Sequence, residues 1–254
     1  MSLEMMIVVG FIVGFLVGGT GIGGIILIPA LVYLAGLSSH VAMGTTLFTF
    51  IFTTILSSYL YIRLGHVDWK ATIPICVGGL LFSYVGAAVK AGMAAPYLNL
   101  VLALLILLAG GLVFCPVRGR QFAFMAEGRS SRFWTLLVVG SGVGFIAGLT
   151  GAGGPVLSVP IMIVLGSPPL VSIAAGQVYS VPVAISGTIA NIQNSAIDFH
   201  VGLWLIVVQM AGILAGVYVA NRMDTSRLRK LVAWVCVFCG AFILYNALRD
   251  IIAM

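Results

Sequence analysis

The sequence predicts an all-α polytopic membrane protein of two homologous four-segment repeats, inverted relative to one another. Each repeat would hold one glycine-broken re-entrant helical hairpin and three transmembrane helices. Three observations lead there. The chain is 61% hydrophobic and 7% charged, whereas soluble domains carry about 25% charged residues. Its apolar runs approach twenty residues, the length of a membrane helix and about twice that of a barrel strand. The tract Gly18-Gly19-Thr20-Gly21-Ile22-Gly23-Gly24 recurs as Gly148-Leu149-Thr150-Gly151-Ala152-Gly153-Gly154.

The repetition extends well past the glycines. An offset of 130 residues pairs Gly14-Phe15 with Gly144-Phe145, Val67-Asp68-Trp69 with Ile197-Asp198-Phe199, Gly86 with Gly216 and Gly110 with Gly240. The register drifts by one or two residues between 25 and 67, where Pro29 meets Pro160 and Gly44 meets Gly176. The organisation follows: repeat 1 over 1–115, a polar linker over 116–132, and repeat 2 over 133–254.

Eight apolar segments are expected, over 5–36, 41–62, 70–90, 96–114, 133–166, 170–195, 201–221 and 227–249. Six have the length of a single span. The first and fifth are too long for one crossing of a ~30 Å hydrocarbon core, and each is cut by its glycine tract. Glycine destabilises a helix interior by about 1 kcal/mol relative to alanine. Irregular backbone at membrane depth also needs protein or water around it. Each long segment therefore reads as a hairpin with arms of about 12–17 residues at 1.5 Å rise per residue, leaving on the side it entered. No cleavable leader is expected, because the repeat begins almost at Met1.

Charge tests the hairpins. If segments one and five each cross once, Lys and Arg divide seven to five between the two sides; if both are hairpins, the division becomes ten to two, with only Lys90 and Arg249 on the minor side. The positive-inside rule prefers the second arrangement. It puts the linker in the cytoplasm and both termini outside, and gives each repeat three crossings, hence the inversion. The net charge of +6 thus reads as a topology signal, and no nucleic-acid partner is expected.

The chemistry of the tracts favours an anion. Each returning arm starts a helix just after its glycines, and helix N-termini bind anions through unpaired N–H groups and the positive dipole end. Thr20 and Thr150 are expected to add hydroxyl donors. The candidate substrate-binding residues are Thr20, Gly21, Gly23 and Gly24 with Thr150, Gly151, Gly153 and Gly154, joined by Thr45, Thr46 and Gln177 at the entrance of the helix after each hairpin. Gly14, Gly18, Gly144 and Gly148, spaced by four, read instead as helix-packing positions. Asp68 and Asp198 precede helices and read as N-caps; His40, His66 and His200 read as structural.

The paired tracts, each followed by a proline-bearing helix (Ile28-Pro29-Ala30-Leu31 and Val159-Pro160-Ile161-Met162), resemble the TauE/SafE family. So do Gly65-His66-Val67-Asp68-Trp69 and its echo Ala196-Ile197-Asp198-Phe199. The resemblance covers nearly the whole chain. It implies a bacterial or archaeal inner-membrane carrier for sulfite or an organosulfonate such as sulfoacetate, usually an exporter, with some members linked to uptake. The second copy departs from the pattern where Gln177-Val178-Tyr179 stands in place of Thr45-Thr46-Leu47, which argues against a two-fold symmetric site.

The six carboxylates and twelve basic residues all fall in or beside expected loops, leaving no mid-span relay for a carboxylate-based proton antiport. Gly19-x-Gly21-x-x-Gly24 imitates a dinucleotide fingerprint, but no strand precedes it and no acid follows at the required distance. Cys236 and Cys239 form a lone CxxC within an apolar helix and read as packing. No cofactor, no metal and no catalytic residue are expected. The partners are a small anion and the bilayer, and the sequence leaves oligomeric state open, a homodimer included. An anion channel or an uptake permease for another small anion is the alternative, and an intramembrane enzyme ranks below both.

Overall fold

The structure is a computed structural model and describes residues 3–21, 23–114, 129–165, 167–222 and 225–252. Ten helices follow in order: α1 (Leu3–Thr20), α2 (Gly24–Tyr33), α3 (Ser39–Arg63), α4 (Trp69–Ala91), α5 (Ala95–Phe114), α6 (Arg129–Thr150), α7 (Pro155–Val164), α8 (Pro169–Gln193), α9 (Phe199–Ala220) and α10 (Thr225–Ile252). Among the described residues no other regular secondary structure occurs. Five helices have the length and apolarity to cross a membrane: α3, α4, α8, α9 and residues Arg132–Thr150 of α6. The protein is a multi-pass membrane protein, helical in its described residues.

The two long apolar segments are broken at the glycine tracts, as expected, but their arms are unequal. The first arms are 18 and 22 residues long and the second arms 10 each, against about 12–17 on either side. At 1.5 Å per residue the long arms reach about 27–33 Å and the short ones about 15 Å. The first short arm stops early for a local reason: α2 ends at Tyr33 and Gly36 follows at φ 70°, a left-handed turn that side-chain-bearing residues resist. α6 also takes in Arg129–Arg132, the end of the stretch read as linker. The remainder of the linker, with Arg118, Arg120 and Glu127, lies outside the described residues, as does Ile22 within the first tract.

Small residues decide how the helices pack. A Cβ added at Gly14 or Gly18 of α1 would lie 2.2 Å from Gln209 O or 2.6 Å from Ile213 O of α9; one at Gly144 or Gly148 of α6 would lie 2.7 Å from Gly79 Cα or 2.0 Å from Ser83 O of α4. Backbones touch there because no side chain intervenes, as small-residue packing in membranes requires. Both pairs run parallel, since the contact numbers rise together. They are also reciprocal: moving each partner by 130 residues in opposite senses turns Gly14–Gln209 into Gly144–Gly79, Gly18–Ile213 into Gly148–Ser83, and Gly216–Phe15 into Gly86–Phe145.

α3 and α8 form the centre and lie antiparallel. Gly44 early in α3 backs onto Asn191 Oδ1 at the far end of α8 and onto Ala196 O just beyond it, while Gly187 backs onto Leu47. α5 and α10 pack on one another. The junctions are capped as expected: Asp68 accepts from Lys70 N and Asp198 from Val201 N, each at 3.0 Å. Asp68 also pairs with Arg132 at 2.9 Å, tying the start of α4 to the start of α6.

Candidate functional site

Both long arms end in the same way. Thr20 and Thr150 are the last helical residues, and each hydroxyl donates to the carbonyl four residues back, Leu16 O and Ile146 O, at 2.8 Å. Gly21 and Gly151 follow at φ 79° and 69°, their N–H groups returning to Val17 O and Ala147 O. A left-handed glycine closing the last turn is a common helix stop, and any side chain there would be strained. Thr150 Oγ1 further accepts from Ala152 N at 3.4 Å. The threonine hydroxyls thus close helix ends, and in this arrangement they are not donors aimed at a ligand.

The two tracts meet. A Cβ at Gly24 would lie 2.5 Å from Ala152 O, and one at Gly21 would lie 2.8 Å from Pro155 Cβ. Phe50, halfway along α3 and buried, is wedged between them, its ring 2.4 Å from the Cβ positions of both Gly24 and Gly153. Gly154 is covered by the Tyr179 ring and Ser180 Oγ. The remaining two glycines look elsewhere: Gly23 backs onto Val13 and Val17 of its own long arm, and Gly151 onto the Met43 backbone of α3. A bulky side chain at Gly23 would therefore pry α1 from α2, so the glycine serves packing at that position.

The short helices begin at this meeting point. α2 starts at Gly24 behind an N-cap Gly23, and α7 starts at Pro155 behind an N-cap Gly154, neither cap using a side chain. The first turn of a helix holds N–H groups without intrahelical partners, so both starts offer donors to whatever lies between them. Pro155 has no N–H, and at the first start the Ile26 N–H already returns to Gly23 O at 3.1 Å, so neither start keeps its full set of donors.

Of the three candidates beyond the tracts, one is brought to them. Gln177 is fully buried; its Nε2 donates to Val17 O at 2.7 Å and lies beside Gly21, while its Oε1 has no hydrogen-bond partner. Thr45 instead accepts from Asp198 N at 2.9 Å, fastening the α8–α9 junction, and Thr46 donates to Ala42 O at 2.8 Å. Three further α3 threonines behave like Thr46, whereas the buried Ser57 and Ser58 hydroxyls have no hydrogen-bond partner. Thr49, Thr53 and Thr54 donate to carbonyls of their own helix. Bonds between helices come largely from α8 and from tyrosines: Ser186 to Leu80 O, Tyr179 to Gly140 O and Tyr61 to Gly18 O.

Phe50, Pro155 and Tyr61 escaped the sequence reading. Pro155 was open to it, since proline after a glycine cluster marks a first helical position. Phe50 left a fainter trace, a large ring one turn beyond Thr46 on an otherwise polar face. Lys90, expected beside a loop, is 1% exposed. Among the described residues no group of three metal-ligating side chains gathers.

The fold is that of a multi-pass helical membrane protein, and comparison with known proteins makes it a membrane transporter. The chain belongs to the sulfite exporter TauE/SafE family, whose model matches residues 6–243. It is 25% identical to the probable membrane transporter protein YdhB of Bacillus subtilis over 95% of this chain and 100% of that one. A second Bacillus subtilis protein, the probable membrane transporter YunE, is 24% identical over 98% of this chain and 99% of its own. The probable membrane transporter MJ0441 of Methanocaldococcus jannaschii is 25% identical over 95% of each chain. No solved structure matches.

Proposed function

We propose that the protein is a secondary carrier exporting a small sulfur oxyanion, sulfite or an organosulfonate, across a bacterial or archaeal inner membrane. The anion would bind where the two glycine tracts meet, between the starts of α2 and α7. The observation that carries this reading is that meeting itself: two helix N-termini from distant parts of the chain converge on one buried point. An oxyanion is the ligand such donors suit. The family's description, a sulfite exporter, supports the substrate class and the direction.

Topology supports the carrier plan. α1 runs parallel to α9, which starts where antiparallel α8 ends, the same side on which α3 begins. On that geometry segment one enters and leaves on one side, and the parallel pairing of α6 with α4 sends segment five in from the other. Both halves then contain a re-entrant hairpin, and the reciprocal glycine contacts suit inverted repeats, a recurrent transporter architecture. Reporter fusions after Met254 should place the C-terminus outside; a cytoplasmic C-terminus would refute the double hairpin.

In this arrangement Phe50 and Gln177 fill the meeting point, as an occluded carrier requires. Binding would displace the Phe50 ring and turn the Gln177 amide from Val17 O toward the anion. Export of a monovalent anion needs no coupling ion, because a negative interior favours its exit by about 2.3 kcal/mol per 100 mV. Purified protein in liposomes tests the reading with sulfite, sulfoacetate, isethionate, sulfate and chloride. A carrier should show counterflow of its preferred sulfur oxyanion. Flux without counterflow would indicate an anion channel, and indifference among the five anions would remove the substrate class.

A further inference from the structure

Lys90 stands in the last turn of α4 with its side chain inside the protein, 1% exposed. Its ammonium donates to His40 O at 3.2 Å and to Asn191 Oδ1. Two of its three N–H donors are thus used, and among the described residues no carboxylate pairs with it. Asp68 is held by Arg132 and Asp198 caps α9. A buried cation without a counter-ion carries a desolvation penalty of several kcal/mol, which neutral amide and carbonyl oxygens offset only in part.

Its place in the fold gives that charge a use. α4 and α6 run parallel, with Gly86 against Phe145 O and Leu149 N, so the next turn of α4 brings Lys90 level with the second tract. A continuous path of contacts joins them. Asn191 Oδ1, which accepts from Lys90, lies 3.1 Å from the Cβ position of Gly44, and the adjoining Met43 backbone lies against Gly151. Lys90 is also one of only two basic residues on the side that the charge distribution makes extracytoplasmic, the other being Arg249. At the corresponding position, 130 residues on, the second repeat has Ala220. The buried charge therefore exists at one end of the pathway and not at the other.

We infer that Lys90 is a second anion-binding group, a release-side station that receives the sulfur oxyanion from the glycine tracts as the anion takes the place of Asn191 Oδ1. The inference rests on the anion-carrier reading above. Small oxyanions suit the station because they can supply the missing negative charge and several acceptors at once. Asn191 holds the ammonium in place while the station is empty.

The test uses the purified full-length protein and calorimetric titration of sulfite and isethionate, with thermal unfolding measured in parallel. Lys90→Gln should weaken binding by about ten- to hundredfold, the value of a hydrogen bond to charge. Asn191→Asp places a carboxylate beside an intact Lys90; it should keep or raise the unfolding temperature yet weaken anion binding at least about tenfold. A merely structural pin predicts the opposite for Asn191→Asp, a folded protein with undiminished affinity. Parent-level affinity in either folded variant overturns the inference and leaves the carrier reading intact. An unaltered protein that binds neither anion overturns both.

Discussion

The two glycine tracts share a sequence pattern and the same helix stop, but they do not build the same surface. In the first, one glycine, Gly21, is left-handed, and α2 begins at Gly24 with its N–H in place. In the second, Gly151 and Gly153 are both left-handed, and α7 begins one position later, at a proline. The first tract is lined by the second tract's backbone, by Gln177 and by the Phe50 ring, the second by the rings of Phe50 and Tyr179. The two tracts thus differ in what faces them, Gln177 at the first and Tyr179 at the second, while the Phe50 ring is shared. Similar backbone geometry survives because glycine and the threonine bond impose it locally. The linings differ because they come from α3 and α8, whose sequences part at Thr45-Thr46-Leu47 and Gln177-Val178-Tyr179.

Alanine at matched glycines tests that difference most severely. Gly24→Ala would drive a methyl group into Ala152 O, a backbone atom that cannot step aside, whereas Gly154→Ala would meet the Tyr179 ring and Ser180 Oγ. Overpacking costs about 1–3 kcal/mol. Counterflow should fall by about a hundredfold for Gly24→Ala, the upper end of that range, and about tenfold for Gly154→Ala, the lower end. The reverse order would make the second tract the principal site.

Gln177 and Thr45 sharpen the comparison by separating binding from architecture. Gln177→Leu should weaken sulfite binding about tenfold with little loss of stability, since it also removes the unpartnered Oε1. Thr45→Val breaks the bond from Asp198 N and should lower stability by about 1 kcal/mol while sparing affinity. Calorimetric titration and thermal melts on the same samples read both.

A smaller effect is expected at Pro155. Pro155→Ala returns an N–H to the start of α7 and makes the two ends more alike. Affinity should rise a few-fold, and stability should fall by about 0.4–1 kcal/mol through the freer unfolded chain. Lost affinity would mean that the ring of Pro155 against Gly21 shapes the site.

Thr20→Val and Thr150→Val should change least. Both hydroxyls are engaged with carbonyls of their own helices, a local bond that contributes little to helix stability. Binding in both variants should stay within about threefold of the parent, less than a full hydrogen bond to charge would cost. A tenfold loss in either would show that the hydroxyl turns toward the anion after all.

Much of this is legible in the sequence. All ten helices fall within the eight expected segments or a few residues beyond them, and the two breaks fall at the glycines. Asp68 and Asp198 cap helices, and Gly14, Gly18, Gly144 and Gly148 pack them. The arm lengths were not legible, because helices end where backbone partners run out, a matter of one or two residues at Tyr33 and Val164. Nor was the fate of hydroxyls such as Thr20 and Thr46, which can serve a neighbour or their own helix with equal chemistry.

The sequence by itself determined the class of protein, the number and order of the helices, the places where they break and the uneven distribution of positive charge. These follow from local physics: apolar length, glycine's freedom at Gly21 and Gly151, and the cost of charge in lipid. Tertiary structure alone decided that the two breaks touch, that Phe50 stands between them, that Gln177 reaches Val17 and that Lys90 is buried against Asn191. Each of those facts joins residues from separate helices, in the case of Gln177 and Val17 160 positions apart. Such contacts depend on how helices cross, and crossing is set by small residues meeting across an interface, which no single stretch of chain contains.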